Sequence, residues 1–230
     1  MNMNKFSKFL PKQPGGIAAV ETIVEVEQKG QEPKARFGAQ VIPLPMLVTG
    51  APFIQDLPRE DGGIDYNVYI YGVIGGMTMG CVDLYSDLIQ LLDTAKQDTS
   101  FTFYICSGGG QVHEATQIAS AMKRTAAGVT TKAVGPCCSA AVVIWMAGKV
   151  RTISDGSYLM QHMSSHTDWG DSAALGLLSN SLVKWVIDGV LKPMMDEGLL
   201  TEEEFVDITD RRKSIWLDAA TVRERLGIGE

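Results

Sequence analysis

VGPCCSAAVVIWMAG, residues Val134–Gly148, sets one hydroxyl, Ser139, between two cysteines and a run of small and apolar side chains. The strand-like VTTKAV leads into it, and the residues after Ser139 have the composition of a buried helix. Serine at a helix start is ordinarily a cap, its oxygen accepting from the N2 or N3 amide. It can also be a nucleophile placed where helix amides polarise an electrophile. These few residues leave both readings open, and the rest of the chain has to decide.

Outward from Ser139 the pattern alternates. NVYIYGVI is β-branched and aromatic and predicts a strand. VDLYSDLIQLLDTAKQ carries Leu84, Leu88, Leu91, Leu92 and Ala95 at helical spacing. FTFYIC is the next strand, followed by Gly108–Gly110 and the helical QVHEATQIASAMKRTA. Beyond the Ser139 helix lie two short strands, VRTI and YLMQH, and a long helix over most of 171–197. TEEEFVDITDRR is a helix with Thr201 and Glu204 spaced as a capping box, and DAATVRERLG is another, with Asp218 as cap and Gly227 as stop. Strands alternating with helices imply an α/β fold of βαβ units around a mainly parallel sheet.

Residues 1–60 differ. They hold Pro11, Pro14, Pro33, Pro43, Pro45, Pro52 and Pro58, seven of the nine prolines, so regular structure should be sparse there. This stretch is expected to be a partly ordered N-terminal extension, with the main domain in 61–230. The net charge of −7 argues against a nucleic-acid partner, which would require a basic face. Cys81, Cys106, Cys137 and Cys138 form no CxxC pair and no zinc spacing, which suggests buried free thiols in a reducing compartment. The apolar run Ala140–Gly148 is too short to span a bilayer, and the first residues make a poor signal peptide. A cytoplasmic protein without metal, cofactor or membrane partner is expected.

Three histidines are available as bases. His113 falls just inside a helix, and His166 lies in the polar loop SSHTDWGD. His162 ends a short apolar strand, where a side chain can be held rigidly. The glycines at 108–110 could cradle a phosphate, aim an amide at an oxyanion or simply make a tight turn; GGG is neither GxGxxG nor a Walker motif.

A helix-start serine, a glycine segment and a strand-end histidine form a more specific set than any one of them. ICSGGGQVHEATQIASAM, AVGPCCSAAVVIWMAGKVRTISDGSYLMQH and WLDAATVRERLGI resemble the ClpP family of self-compartmentalising serine proteases, within the ClpP/crotonase superfamily. The resemblance runs from about Asn67 to Gly227. It implies a superhelix of βαβ units with a long handle helix. It also implies Ser139 as nucleophile, His162 as general base, and the Gly109 and Ala140 amides as the oxyanion hole.

The departures are informative. CSGGG stands where the family has N-S-P-G-G, and MSS follows the histidine where Q-P is usual. Counting back from Trp216 to the family's aspartate lands on Ser214, with Asp210 and Asp218 the nearest carboxylates. Asp210, about one helical turn earlier, is the candidate third member of the triad. The resemblance further implies a homo-oligomer of two stacked heptameric rings with the sites inside, and a hexameric ATPase that delivers folded substrates. Three other functions remain open. They are a phage-encoded relative that matures capsid or scaffold proteins, a crotonase-like enzyme acting on a CoA thioester, and a ring-forming pseudoprotease.

Overall fold

The computed structural model describes residues 51–75, 85–163 and 180–229, all within the compact unit Val41–Glu230. The strands are β1 (Phe53–Pro58), β2 (Ile64–Ile74), β3 (Ser100–Gly110), β4 (Gly128–Cys138), β5 (Val150–Ile153), β6 (Tyr158–Gln161) and β7 (Ile215–Asp218). The helices are α1 (Ser86–Thr94), α2 (Val112–Arg124), α3 (Ala140–Met146), α4 (180–196), α5 (Glu202–Thr209) and α6 (Ala219–Leu226). The Ile187–Leu191 segment of α4 is wound as a π-helix.

One sheet runs in the order β1-β2-β3-β4-β6-β7, with β5 also paired to β4. The centre is parallel, built from β2–α1–β3 and β3–α2–β4 units, as alternating strands and helices require. β1 and β7 close the two ends antiparallel to β2 and β6. β1 lies inside the stretch that composition set apart as an extension, and there it forms a sheet edge.

The core follows the strand period of two. Phe101, Phe103 and Ile105 of β3 are fully buried, while Thr102, Tyr104 and Cys106 on the other face are half-buried. α2 turns Ala115, Ile118 and Met122 inward at helical spacing. α3 is almost wholly buried, and two hydrogen bonds anchor its far end. Thr131 Oγ1 donates to the Trp145 carbonyl at 2.8 Å, and Trp145 Nε1 donates to the Thr152 carbonyl at 3.0 Å.

The Thr201–Glu204 capping box forms as its spacing predicts. Asp218 caps α6 by accepting from the Thr221 amide at 2.8 Å, and Gly227 ends that helix with φ 61°. The glycine segment differs from the tight turn that its composition suggests. Gly108–Gly110 continue β3, with Val73 opposite Gly109 and Ile74 opposite Gly110. The helix expected over 171–197 is described only from residue 180, and Cys81, Leu84 and His166 fall outside the described residues.

Candidate active site

Three strand ends converge on Ser139. β4 delivers it directly, and the chain turns there into α3 with φ 54° and ψ −120°. A positive φ at a non-glycine residue costs about 1–3 kcal/mol and persists only where the surroundings hold it. Here they do. The Ser139 amide donates to the Met160 carbonyl of β6 at 2.7 Å, and its own carbonyl accepts from the Val142 amide at 3.0 Å. The first of these bonds extends the parallel β4–β6 pairing that sets Cys138 opposite Met160. It fixes the end of β6, and His162 follows two residues later.

The result answers the question raised by Ser139. Its side chain makes no capping hydrogen bond to α3. Instead Oγ lies 2.9 Å from His162 Nε2. With the ring neutral and its proton on Nδ1, the hydroxyl donates to Nε2, the arrangement from which a base removes a serine proton.

β3 supplies the third end. Gly109 has φ +100°, and a Cβ there would lie 2.7 Å from the Cys138 carbonyl oxygen and 2.9 Å from Ser139 Cβ. Only glycine lets β3 pass so close beneath the turn. A register irregularity between Ile105 and Ser107 in the β3–β4 ladder re-aims this end, as bulges beside sites often do.

The two amides expected to hold an oxyanion differ. Ala140 is the first residue of α3, and first-turn amides have no acceptor within their helix. The Gly109 amide already donates to Ser107 Oγ at 3.1 Å, and that hydroxyl in turn donates to the Gly72 carbonyl. Ser107 is 2 % exposed, and the sequence alone drew no attention to it.

The acid side is not assembled in the same way. Asp210 ends α5, is exposed, and accepts from Thr209 Oγ1 at 2.8 Å. Among the described residues no hydrogen bond or ion pair joins Asp210 to His162, and none is made at His162 Nδ1. The surface pairing of this turn belongs to Asp207, which bonds Arg211 and Lys213. Those two cations, chiefly through their hydrogen bonds, hold the Asp207 carboxyl below its usual range. Ser214 is exposed. The β6–β7 register pairs Gln161 with Ile215, so one step further it sets Ser214 opposite His162. His113 is exposed and pairs with Glu114 at 3.7 Å.

The neighbouring thiols are poor rivals to Ser139. Burial, aided by the nearby Cys138 and Cys106, pushes the Cys137 thiol well up. Burial also raises the Cys138 thiol, more than its hydrogen bond with the Met160 backbone lowers it. Protonated thiols are weak nucleophiles.

A cavity of about 340 Å³ opens beside Ser139 and His162, with Gly110, Gln161, Val186 and Val190 in its walls. A larger cavity of about 510 Å³, among α2, α3 and α4, contains neither Ser139 nor His162 in its lining. No helix among the described residues is long and apolar enough to cross a membrane.

Comparison with known proteins bears on the fold. The model of the Clp protease family matches residues 76–185, a span that includes Ser139 and His162 and ends before Asp210 and Ser214. No curated protein sequence matches the chain. Among 535 matching chains of solved structures is an asparagine-to-aspartate variant of ClpP1 from Listeria monocytogenes. It is 18% identical, covers 70% of this chain and 88% of its own, and superposes with a TM-score of 0.55. At that identity the likeness concerns the fold. Together with the family match, it establishes that the chain has the ClpP-like protease fold.

Proposed function

We propose that the protein is a serine-type endopeptidase that hydrolyses peptide bonds through Ser139 and His162. The single observation that carries this reading is the 2.9 Å contact between Ser139 Oγ and His162 Nε2 at a strained strand-to-helix turn. Oγ attacks the scissile carbonyl carbon while Nε2 takes its proton. The tetrahedral oxyanion forms at the start of α3, where the Ala140 amide can donate to it. The Gly109 amide joins it only by leaving Ser107 Oγ. The imidazolium then returns its proton to the leaving amine, and water releases the acyl group by the reverse sequence.

An extended substrate would add as a strand beside Gly108–Gly110. The last β3–β4 pair is Ser107 with Cys137, so beyond it Gly108–Gly110 have no ladder partner in β4. Asp210, the third member expected from the sequence, would have to release Thr209 to serve, and the reading does not rest on it. A Ser–His pair carries the reading without it. In the serine-protease template, a triad that lacks its working acid loses about 10⁴-fold in kcat.

By analogy with the fold, the working form would be two stacked heptameric rings with the sites inside, fed by a hexameric ATPase, in the cytoplasm. Trp185 of α4, 39% exposed, suits the handle contact between rings. A phage-encoded role in capsid or scaffold maturation fits the same chemistry. A pseudoprotease scaffold is the second reading, favoured by the absence of a carboxylate at His162 Nδ1 among the described residues. Labelling with a fluorophosphonate separates the two, because only an activated serine displaces the fluoride. Covalent modification of Ser139, lost in Ser139→Ala, is the expected result. An unlabelled wild-type protein would leave only the scaffold.

A further inference from the structure

We propose that Ser107 is a positioning residue that keeps the oxyanion site half-closed at rest, by holding the Gly109 amide until a tetrahedral intermediate claims it. This deepens the peptidase reading and rests on it. Ser107 lies where both neighbouring ladders slip. The β2–β3 register shifts between Tyr71 and Val73, and the β3–β4 register between Ile105 and Ser107. Regular pairing lapses just before the glycines, and a side chain takes up backbone hydrogen bonds there. The Ser107 hydroxyl donates to the Gly72 carbonyl and accepts from the Gly109 amide at 3.1 Å. A hydroxyl has one proton to give and lone pairs to receive with, so it serves both at once. The bond to the amide two residues on is a local turn that serine favours.

The Gly109 N–H carries a single proton, and in the resting site Ser107 has it. The Ala140 amide, at the start of α3, is then the donor that meets the oxyanion first. The peptide unit that bears the Gly109 N–H is flanked by Gly108 and Gly109, so no Cβ restricts the two dihedrals about which it turns. A Cβ built at Gly108 would meet nothing within 4 Å.

The competition between acceptors decides when the amide turns. A hydrogen bond to a charged acceptor is about twice as strong as one between neutral groups. The neutral Ser107 oxygen therefore keeps the amide in the ground state and loses it to the oxyanion. In that step Ser139 Oγ forms the new C–O bond, and its proton passes to His162 Nε2. The carbonyl π pair becomes the oxyanion lone pair that draws the Gly109 N–H. Each turnover then carries the cost of breaking the Ser107–Gly109 bond.

Ser107→Ala removes the competing acceptor. It should raise kcat by about 2- to 10-fold with KM unchanged, the range spanned by the net worth of one hydrogen bond. Two inhibitors of one peptide sequence separate this from a change in folding. A peptide aldehyde adds Ser139 Oγ and forms an oxyanion, whereas the peptide alcohol has no electrophile. In Ser107→Ala the aldehyde should bind tighter by about the same 2- to 10-fold, and the alcohol as in wild type. Ser107→Cys nearly keeps the volume but accepts weakly, so it should fall between the two. An aldehyde-to-alcohol affinity ratio that neither substitution moves overturns the proposal, because a purely structural serine affects both ligands alike. A ratio that falls overturns it too, and makes Ser107 an aid to the amide rather than its competitor. In a wild-type protein that a fluorophosphonate labels, either result leaves the peptidase reading standing. A wild-type protein left unlabelled removes the peptidase reading and this inference together.

Discussion

The β4–α3 junction at Ser139 and the α5–β7 junction at Asp210–Ser214 were both candidates to supply catalytic groups, and they are built in opposite ways. At the first, a strained residue is held from three sides. The Met160 carbonyl takes its amide, the Val142 amide takes its carbonyl, and Gly109 packs beneath it. At the second, Asp210 and Ser214 are exposed, and the hydrogen bonds are short-range in sequence, from Thr209 to Asp210 and from Arg211 and Lys213 to Asp207. Strain persists where tertiary contacts over-determine the backbone. A turn that satisfies itself with its own neighbours has no such constraint and presents no group to a distant ring.

The largest test of this contrast is at the held junction. Ser139→Ala should lower kcat/KM by about 10⁴-fold or more, and His162→Ala nearly as much, with the double variant no worse than either, because members of one catalytic unit are not additive. Additive losses on peptide substrates would separate the two residues into independent roles. Stability should change little, since Ser139 makes no side-chain cap for alanine to remove.

Next comes the packing beneath the turn. Gly109→Ala introduces a Cβ into contact with the Cys138 carbonyl oxygen and Ser139 Cβ at φ +100°. A stability loss of about 1–3 kcal/mol is expected, together with about a 10²-fold loss of activity from the misplaced nucleophile. Thermal unfolding and peptide hydrolysis measure the two effects. Wild-type activity in this variant would show that the turn is not held from below.

The self-satisfied junction should respond weakly to loss and more strongly to gain. Asp210→Asn should change kcat/KM by less than about twofold, the size expected of an exposed charge outside the catalytic unit. Ser214→Asp should raise it by about tenfold, by setting a carboxylate where the β6–β7 register meets His162. A tenfold loss in Asp210→Asn would instead give Asp210 the orienting role and erase the contrast.

The smallest effect lies in α5 itself and concerns stability alone. Burial tends to raise the Glu204 carboxyl, but the Arg225 guanidinium and the Thr201 amide outweigh it and leave the group below its ordinary value. A carboxyl lowered by folding contributes stability above the ordinary glutamate range, and that contribution is lost as pH falls through its lowered folded value. Glu204→Gln should therefore cost about 1 kcal/mol near neutrality, and the difference from wild type should vanish in acid. Denaturant melts at the two pH values check this. A cost that persists in acid would assign it to the capping bond rather than to the ion pair.

Whereas the pairing of Ser139 with His162 was only what the family resemblance implied, the element order and the parallel sheet were legible in the amino-acid order, because apolar periodicity and glycine placement are local properties. Thr201–Glu204 and Asp218–Thr221 belong to the same class, since both partners lie three residues apart. Hydrogen-bond choice across the fold was not legible. Whether the Ser139 hydroxyl capped its helix or met a ring 23 residues away depended on where β6 was pinned. The Gly109 amide went to Ser107, whose hydroxyl was fixed by Gly72, 35 residues earlier, and Asp210 went to its neighbour rather than to His162. Gln161 read as one more residue of a short apolar strand, yet its Oε1 is buried with no hydrogen-bond partner among the described residues. Each polar group has several acceptors or donors within reach of its residue type, and only the packed chain decides which of them stands within 3.5 Å.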